Sequence, residues 1–134
     1  MKEPLVRISL DGNGRTYRPG DTLSGEYRLE SIVADEIRAV EVSVLWYSEG
    51  KGEEDMAVHE FWRLSAEDGD RTDSRQPGRF STALPNSPLS YRGVIVKVRW
   101  CVRVRVFLTR GREVKGELGF RLGEVRPARL ALSS

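Results

Sequence analysis

Four basic side chains at alternate positions of one segment, and two more just after it, are the residues of this sequence best suited to binding chemistry. They are Lys97, Arg99, Arg103 and Arg105, followed by Arg110 and Arg112. Successive residues of a β-strand face opposite sides of a sheet, so these side chains would share one face and form a basic surface with the next turn. Such a surface suits acidic peptides, phosphates or anionic lipid headgroups. We call these six residues the arginine stripe.

Carboxylates elsewhere in the sequence offer an alternative in which the arginine stripe is neutralised. Opposite charges attract across a sheet, and the candidate partners are Glu26, Glu41, Glu113 and Glu117. We favour this pairing over a free anion-binding surface, and membrane association would then be weak. Few aromatic residues alternate with the arginines, which argues against stacked single-stranded nucleic acid as a partner. A net charge of +2 is also too small to predict nucleic-acid binding.

His59 is the only histidine and therefore the one imidazole available for general-base catalysis. No G-x-S-x-G motif accompanies it, and a single histidine cannot supply a typical three-ligand catalytic zinc site. The loop from Glu67 to Asp73 carries carboxylates, but their order does not match a calcium-binding EF-hand. We therefore predict no catalytic residue, no metal and no cofactor. The alternative is a small β-sandwich enzyme or ligand-binding protein that uses His59 and loop carboxylates.

Cys101 is the only cysteine, so no disulfide can form within the chain. Arg99 and Arg103 share its face and would lower the pKa of its thiol if they lay close enough. The ordinary interpretation, a small half-buried residue beneath arginine side chains, is the one we favour. A lone cysteine fits a reducing compartment, and neither a signal peptide nor a membrane span is visible. We therefore expect a cytoplasmic location.

The elements that must position these residues are predicted from the alternation of apolar and polar side chains. Alternating stretches occur at residues 6–10, 23–30, 40–46, 94–106 and 120–122, and a further strand is assigned to 53–64. About seven short strands, separated by turn-forming pairs such as Arg110-Gly111, predict an all-β, antiparallel, immunoglobulin-like β-sandwich. The composition, with 39% hydrophobic and 31% charged residues in 134, suits one domain covering residues 1–134.

Residues 17–30 contain a Pro-Gly pair and a second glycine, a combination that raises the possibility of a phosphate-binding loop. Such a loop needs several glycines, or a lysine and a hydroxyl, at the start of a helix, whereas the residues after Gly20 alternate with period two. Pro19 and Gly20 instead predict a type II turn. Gly25 would face inward from the next strand, where Trp46 or Trp100 approaches closely.

Three blocks of sequence, taken in order, resemble the arrestin fold. "YRPGDTLSGEY" (residues 17–27) is similar to the second and third strands of an arrestin N-terminal domain. "LPNSPLSYRGVIVKVRWCVRVRV" (84–106) resembles the segment in which leucine-proline, a short loop and a glycine precede a long aromatic-bearing strand. "FRLGEV" (120–125) stands where arrestin N-terminal domains have their last strand. The resemblance extends to retromer-type arrestin-like subunits and bacterial sporulation-control proteins, and it implies an arrestin-like sandwich.

The resemblance also implies a class of function: a non-enzymatic protein-interaction or scaffold module in trafficking or regulation, whose protein partner the sequence does not identify. The proline-proline-x-tyrosine motifs of α-arrestins are missing, and no buried polar core can be matched, so phosphate sensing of activated receptors does not carry over. Arrestins place two sandwiches side by side, and this sequence supplies one. A second copy could be the neighbour, and we expect a homodimer through residues 5–10 and 120–132.

Overall fold

The computed structural model describes residues 3–12, 14–50, 54–69, 76–93 and 95–123. These residues form strands and three single 3₁₀ turns. The strands are β1 (Leu5–Leu10), β2 (Thr16–Tyr17), β3 (Thr22–Glu30), β4 (Ile37–Gly50), β5 (Met56–Ser65), β6 (Gly78–Ala83), β7 (Tyr91–Arg92), β8 (Val96–Leu108) and β9 (Glu113–Leu122). The 3₁₀ turns are Ala34–Glu36, Ala66–Asp68 and Thr109–Gly111. Within the described ranges, no helix is long and apolar enough to cross a membrane.

The strands form two sheets that pack as an immunoglobulin-like β-sandwich, which confirms the predicted fold class. One sheet has three strands in the order β1-β3-β6. The other has six, in the order β2-β9-β8-β4-β5, with β7 paired to the end of β8. Pairing is antiparallel except between β2 and β9, which run parallel. The prediction of a purely antiparallel sandwich missed this parallel pair, because β2 is too short to show any alternation in the sequence.

The core lies between the sheets and is filled by the apolar positions of each alternating strand. Val102, Val104 and Val106 of β8 are completely buried, as are Leu23 of β3 and Leu122 of β9. Burying one such side chain stabilises the fold by about 1.5–3 kcal/mol. Both sheets contribute to the same hydrophobic cluster, so the residues on the outer faces are held by a shared, rigid support.

Strand prediction was confirmed where alternation was long and failed where the strand was short or began with glycine. The uncertain segment 53–64 does contain a strand, β5, which begins at Met56. Strand β6 was missed because Pro77 and Gly78 were interpreted as a turn. In the structure Gly78 opens β6, and a Cβ there would overlap the ring of Tyr27. Val94, predicted as the start of the longest strand, lies outside the described residues.

The turn at Pro19–Gly20 has the predicted geometry. Gly20 has a φ of 87°, and the Asp21 amide donates to the Arg18 carbonyl at 3.0 Å, as a type II turn requires. The Asp21 carboxylate in turn accepts a hydrogen bond from the Arg18 amide at 2.8 Å. The turn delivers the chain into β3, so its role is structural.

Gly25 is packed closely, but not against the tryptophans that were predicted. A Cβ at this position would overlap the Ser9 carbonyl oxygen and lie 2.9 Å from Cζ of Phe80. The atoms nearest to this position belong to β1 and β6, the strands that flank Gly25 in the three-stranded sheet, rather than to Trp46 or Trp100. Alternation with a period of two residues predicts that Gly25 faces inward, but it does not predict which strands lie beside it.

Candidate functional site

The outer face of the six-stranded sheet carries four members of the arginine stripe on β8. Lys97, Arg99, Arg103 and Arg105 alternate with residues of the hydrophobic core, including Val102. From the first to the last of them, β8 extends roughly 26 Å. The four therefore lie in very different surroundings, and each end of the face is considered separately.

The half of this face around Arg103 and Arg105 is neutralised by glutamates on the flanking strands. Arg103 Nε donates to Glu117 at 2.7 Å, in register across the β8–β9 pair. Arg105 Nε donates to Glu113 at 2.7 Å and also lies 4.0 Å from Glu41 of β4. The hydrogen bond from Arg105 lowers the pKa of Glu113, and the same bond raises the pKa of Arg105. We call this region the paired half.

Three further contacts complete the paired half. Arg63 of the neighbouring strand β5 forms an ion pair with Glu41, and its guanidinium lies 5.9 Å from the centre of the Phe107 ring. The Arg105 guanidinium approaches the same ring to 4.9 Å. Cation–π contacts and cross-strand ion pairs thus hold both arginines flat against the sheet.

The last two members of the stripe lie beyond the end of β8 and do not extend its surface. Arg112 donates to Glu36 at 2.9 Å. Arg110 has a φ of 64° within the 3₁₀ turn and lines a separate shallow depression with Glu67. The arginine stripe is therefore not one continuous basic surface, since carboxylates from other elements divide it.

The opposite end of the face contains a depression of about 650 Å³ in which cationic side chains outnumber carboxylates among the described lining residues. We call it the basic pocket, and its cationic residues are Arg15, Arg92, Lys97, Arg99 and Arg121. They come from the segment before β2, from β7, from β8 and from β9. Arg99 donates to Glu49 at 2.9 Å, and Glu117 is the carboxylate among the described lining residues.

Three of these cations were not singled out from the sequence. Arg15 precedes a two-residue strand and Arg92 lies within another, so no periodicity marks either position. Arg121 alternates with Phe120 and Leu122 and could have been assigned to an outer face. The parallel pairing of β2 with β9 brings Arg15 beside Arg121, and the antiparallel pairing of β7 with β8 brings Arg92 beside Lys97.

One of the residues that line the pocket, Gly119, has no side chain. Gly119 of β9 is exposed and lies opposite Cys101 of β8, and the rings of Tyr47 and Tyr91 line the same depression. Cys101 is only 3% exposed, and burial raises the pKa of its thiol to about 11. Proximity to Glu117 also raises this pKa, and Arg103 and Lys115 lower it by less. Burial therefore disfavours the thiolate, which supports the interpretation of Cys101 as a buried residue over that of a reactive cysteine.

A second exposed feature is the edge strand β5, which carries large apolar side chains in water. Met56 is 59% exposed, Val58 is 49% exposed and Phe61 is 48% exposed. Leu45 of β4 pairs with Val58 and is buried, although it lies outside the core cluster between the sheets. The outer face beside β5 is therefore apolar, and this strand was not a candidate site in the sequence.

His59 of β5 bridges the two sheets. It occupies a bulge, because the pairing of β4 with β5 passes from Val44–Glu60 directly to Leu45–Val58. Its Nε2 lies 2.7 Å from the Ala83 carbonyl oxygen of β6, and its ring contacts Trp100 edge to face at 6.1 Å.

The Ala83 contact determines the protonation of the ring. Only an N–H can bond to a carbonyl oxygen, so His59 Nε2 must carry a proton. That nitrogen also lies 3.5 Å from the Thr82 hydroxyl, which it therefore cannot deprotonate. This geometry gives His59 a structural role.

Glu60 is a carboxylate close to His59 in the described part of the chain, because the Thr82 hydroxyl lies 3.5 Å from His59 Nε2 and donates to Glu60 at 3.4 Å. Glu67 and Asp68 lie in the 3₁₀ turn that follows β5, and residues 70–73 of the predicted acidic loop lie outside the described residues. Where the structure describes the chain, no three His, Cys, Asp or Glu side chains come close enough together to hold a metal ion.

Two solved structures share this architecture. Spo0M, a sporulation control protein from Bacillus subtilis, has a TM-score of 0.64 and 15% sequence identity over 91% of this chain. The fold is an arrestin-like β-sandwich. The match covers 50% of the Spo0M chain, so this chain spans about half the length of that protein. The arrestin-like fold inferred from the three sequence blocks is thus confirmed.

A superoxide reductase (neelaredoxin) from Ignicoccus hospitalis has a TM-score of 0.53 and 10% identity, over 88% of this chain and 80% of that chain. No protein-family model matches the sequence, and no curated protein matches it. A control protein and an enzyme share this architecture, so the fold alone does not determine function, which must be argued from the sites.

Proposed function

We propose that this arrestin-like sandwich is a non-enzymatic protein-interaction module, and that β5 is the strand at which it binds an extended segment of a partner protein. In this mode the partner adds a strand to the open side of β5. Main-chain hydrogen bonds supply affinity, and the side chains of β5 supply selectivity.

The exposed apolar residues of β5 are the observation that carries this proposal. Edge strands in natural proteins are usually short, charged or covered, because a long apolar edge invites pairing with other chains. With 10 residues, β5 is the longest of the sheet edges, and no other described strand pairs with its side away from β4. The edge strands β1, β2 and β6 have at most six residues. Residues 113–120 of β9 also lack a described strand partner on the side away from β8, but β1 packs against them at Gly116. Met56, Val58 and Phe61 form the apolar contact surface.

The geometry around His59 supports a non-enzymatic role. Its Nε2 proton is committed to the Ala83 carbonyl, and it lines none of the described depressions. Cys101 is protonated and buried, so it is a poor nucleophile. The alternative enzyme based on His59 and loop carboxylates therefore finds no support in the described part of the chain.

Regulation is the setting that we favour for this module, because Spo0M, whose fold it shares, is a sporulation control protein. A cytoplasmic location forms part of the proposal and agrees with the single cysteine. A second copy of the same chain is also a possible partner. β1 lies at a sheet edge, as a homodimer through residues 5–10 requires, whereas residues 124–132 of the other predicted contact lie outside the described ranges.

The test is selection of short peptides from a random display library on the purified protein, followed by affinity measurement with β5 variants. Phe61→Lys should weaken binding of the selected peptides by about tenfold or more, as loss of a central anchor does. Leu5→Lys is the matched control, because Leu5 is a similarly exposed apolar residue on the β1 edge. Peptide binding should also slow hydrogen exchange of the β5 amides that face away from β4.

Two results would contradict the proposal. One is equal loss of peptide binding in Phe61→Lys and Leu5→Lys, and the other is amide protection confined to strands other than β5. Sedimentation equilibrium of the parent and of Phe61→Lys tests whether the partner is a second copy of this chain or another protein. A dimer that dissociates in the variant would identify the segment bound at β5 as part of a second copy.

A further inference from the structure

The basic pocket concentrates positive charge far beyond the average of the chain. Five cations and one carboxylate line it within the described residues, whereas the whole chain has a net charge of +2. One of the five, Arg99, is paired with Glu49 at 2.9 Å, and Arg92 and Arg121 also interact with other residues, so Arg15 and Lys97 carry the charge that the test removes. The carboxylate, Glu117, is already engaged by Arg103 at 2.7 Å and Lys115 at 3.6 Å, both outside the pocket lining. A concave surface lined by one sign of charge focuses the field and attracts the opposite ion.

Gly119 provides a second and independent sign of a ligand. A glycine within a strand usually marks close packing, a bulge or close approach by a ligand. Gly116, on the same strand, is explained by packing, because a Cβ there would lie 2.9 Å from the Val6 carbonyl oxygen. At Gly119 a Cβ would meet only the Trp100 carbonyl oxygen, at 3.7 Å, so no contact within the protein requires glycine. Because Gly119 lines the pocket, the space that its side chain would take is left to a ligand.

We propose that the basic pocket binds a small phosphorylated molecule carrying two or more phosphate charges. Guanidinium groups match phosphate oxygens with paired hydrogen bonds, and the pocket has arginines on several sides. Tyr47 and Tyr91 add hydroxyl groups to the lining. The volume of about 650 Å³ is that of a small-molecule site rather than of a single ion. This site is separate from β5, none of whose residues lines it, so it goes beyond the proposed function.

Inorganic pyrophosphate is the probe, and binding is measured by calorimetry and by amide chemical shifts at Gly119 and Arg99. The charge variant is Arg15→Gln/Lys97→Gln, because neither side chain forms an ion pair with another described residue. Its matched control is Arg7→Gln/Arg28→Gln, which removes the same charge from the three-stranded sheet. The steric variant Gly119→Leu fills the floor and leaves every charge in place.

Pyrophosphate should bind the parent, and the affinity should fall by about tenfold or more in the charge variant and in Gly119→Leu. The control double variant should bind as the parent does, and added salt should weaken binding throughout. If circular dichroism shows that Gly119→Leu is unfolded, the comparison of the charge variant with its control double variant still tests the proposal.

The proposal is overturned if the parent shows no pyrophosphate binding at millimolar concentration, or if both double variants lose affinity equally. It is also overturned if pyrophosphate binds neither the parent nor Gly119→Leu while phosphatidylserine vesicles bind both equally. That result would indicate a surface that faces a membrane. Peptide binding at β5, measured with Phe61→Lys, is an independent readout. Failure of one site therefore leaves the other untouched.

Discussion

Gly25 in β3 and Gly119 in β9 each interrupt an alternating strand that has arginines nearby, but their surroundings are opposite. Gly25 is closed in by the Ser9 backbone and the Phe80 ring, whereas Gly119 opens onto the basic pocket. On the three-stranded sheet, carboxylates neutralise the arginines, in the pairs Arg7–Glu30, Arg28–Glu26 and Arg79–Asp11. In the basic pocket, cations outnumber carboxylates among the described lining residues.

The difference shows what cross-strand register does to identical residue types. Where a glutamate or aspartate lies beside an arginine on the next strand, the pair contributes modestly to stability and leaves little net charge. In the basic pocket the segment before β2 and the short strand β7 supply arginines instead of carboxylates at this end of β8. The basic pocket therefore depends on which strands lie next to one another. The variants described for the pocket measure the contribution of its cations directly.

The largest expected effect is on the stability of the fold, and it should be seen at Gly25 rather than at Gly119. Gly25→Val should lower the free energy of unfolding by about 3 kcal/mol, at the upper end for overpacking, because the added atoms meet the Ser9 backbone, which cannot rotate away. Urea denaturation of the parent and the variant measures the difference. A midpoint equal to that of the parent would show that β1 and β3 can separate at no cost.

The next effect concerns the thiol beneath the pocket. With its pKa raised from 9.0 to about 11, Cys101 should present roughly a hundredfold less thiolate at neutral pH than a free cysteine. Alkylation by iodoacetamide under native conditions should be correspondingly slow and should accelerate in urea. Rapid native alkylation would mean that the pocket cations, rather than burial, govern this thiol.

A smaller effect on stability, which depends on pH, is expected from the ion pairs that the arginines form on the three-stranded sheet. Hydrogen bonds from Arg79 and Ser24 lower the pKa of Asp11 from its ordinary value of 3.8. The contribution of ionised Asp11 to stability is therefore complete above pH 3.8 and is lost as the pH falls through the lower folded-state pKa. Asp11→Asn should melt at a lower temperature than the parent at pH 7, and the two should converge at strongly acidic pH.

A double-mutant cycle supplies the control for this third effect. Asp11→Asn, Arg79→Gln and the double variant should show similar losses at pH 7, because each removes the same ion pair. Additive losses would show that the contact between the two side chains contributes nothing to stability.

The smallest effects are expected in the basic pocket. Gly119→Val should change the free energy of unfolding by less than about 1 kcal/mol, since the added side chain enters open space and suits a strand. Lys97→Gln should change thermal stability even less, because no other described residue forms an ion pair with Lys97. A loss in Gly119→Val as large as that in Gly25→Val would remove the distinction between the two glycines.

Much of the framework was predictable because its signals are local. Alternation in β3, β4 and β8 indicated strands with one apolar face, and Pro19–Gly20 indicated its turn. Of the six anion-binding candidates, Lys97 and Arg99 line the basic pocket, Arg103, Arg105 and Arg112 form ion pairs outside it, and Arg110 lines a separate depression. That any of them binds an anion stays a prediction. The rest depended on neighbours far apart in the chain, which a period of two residues does not specify.

The sequence by itself determined the sandwich and the face of the sheet to which each β8 side chain belongs, because a strand's period of two is an intrinsic property of its backbone. Tertiary structure alone decided which arginines have partners, why Gly25 and Gly119 differ, and that β5 forms an open edge. Those properties follow from strand order and register, which are fixed by packing across the shared core. Arg15 and Arg121 meet beside Lys97 only because β2 pairs with β9 over that core.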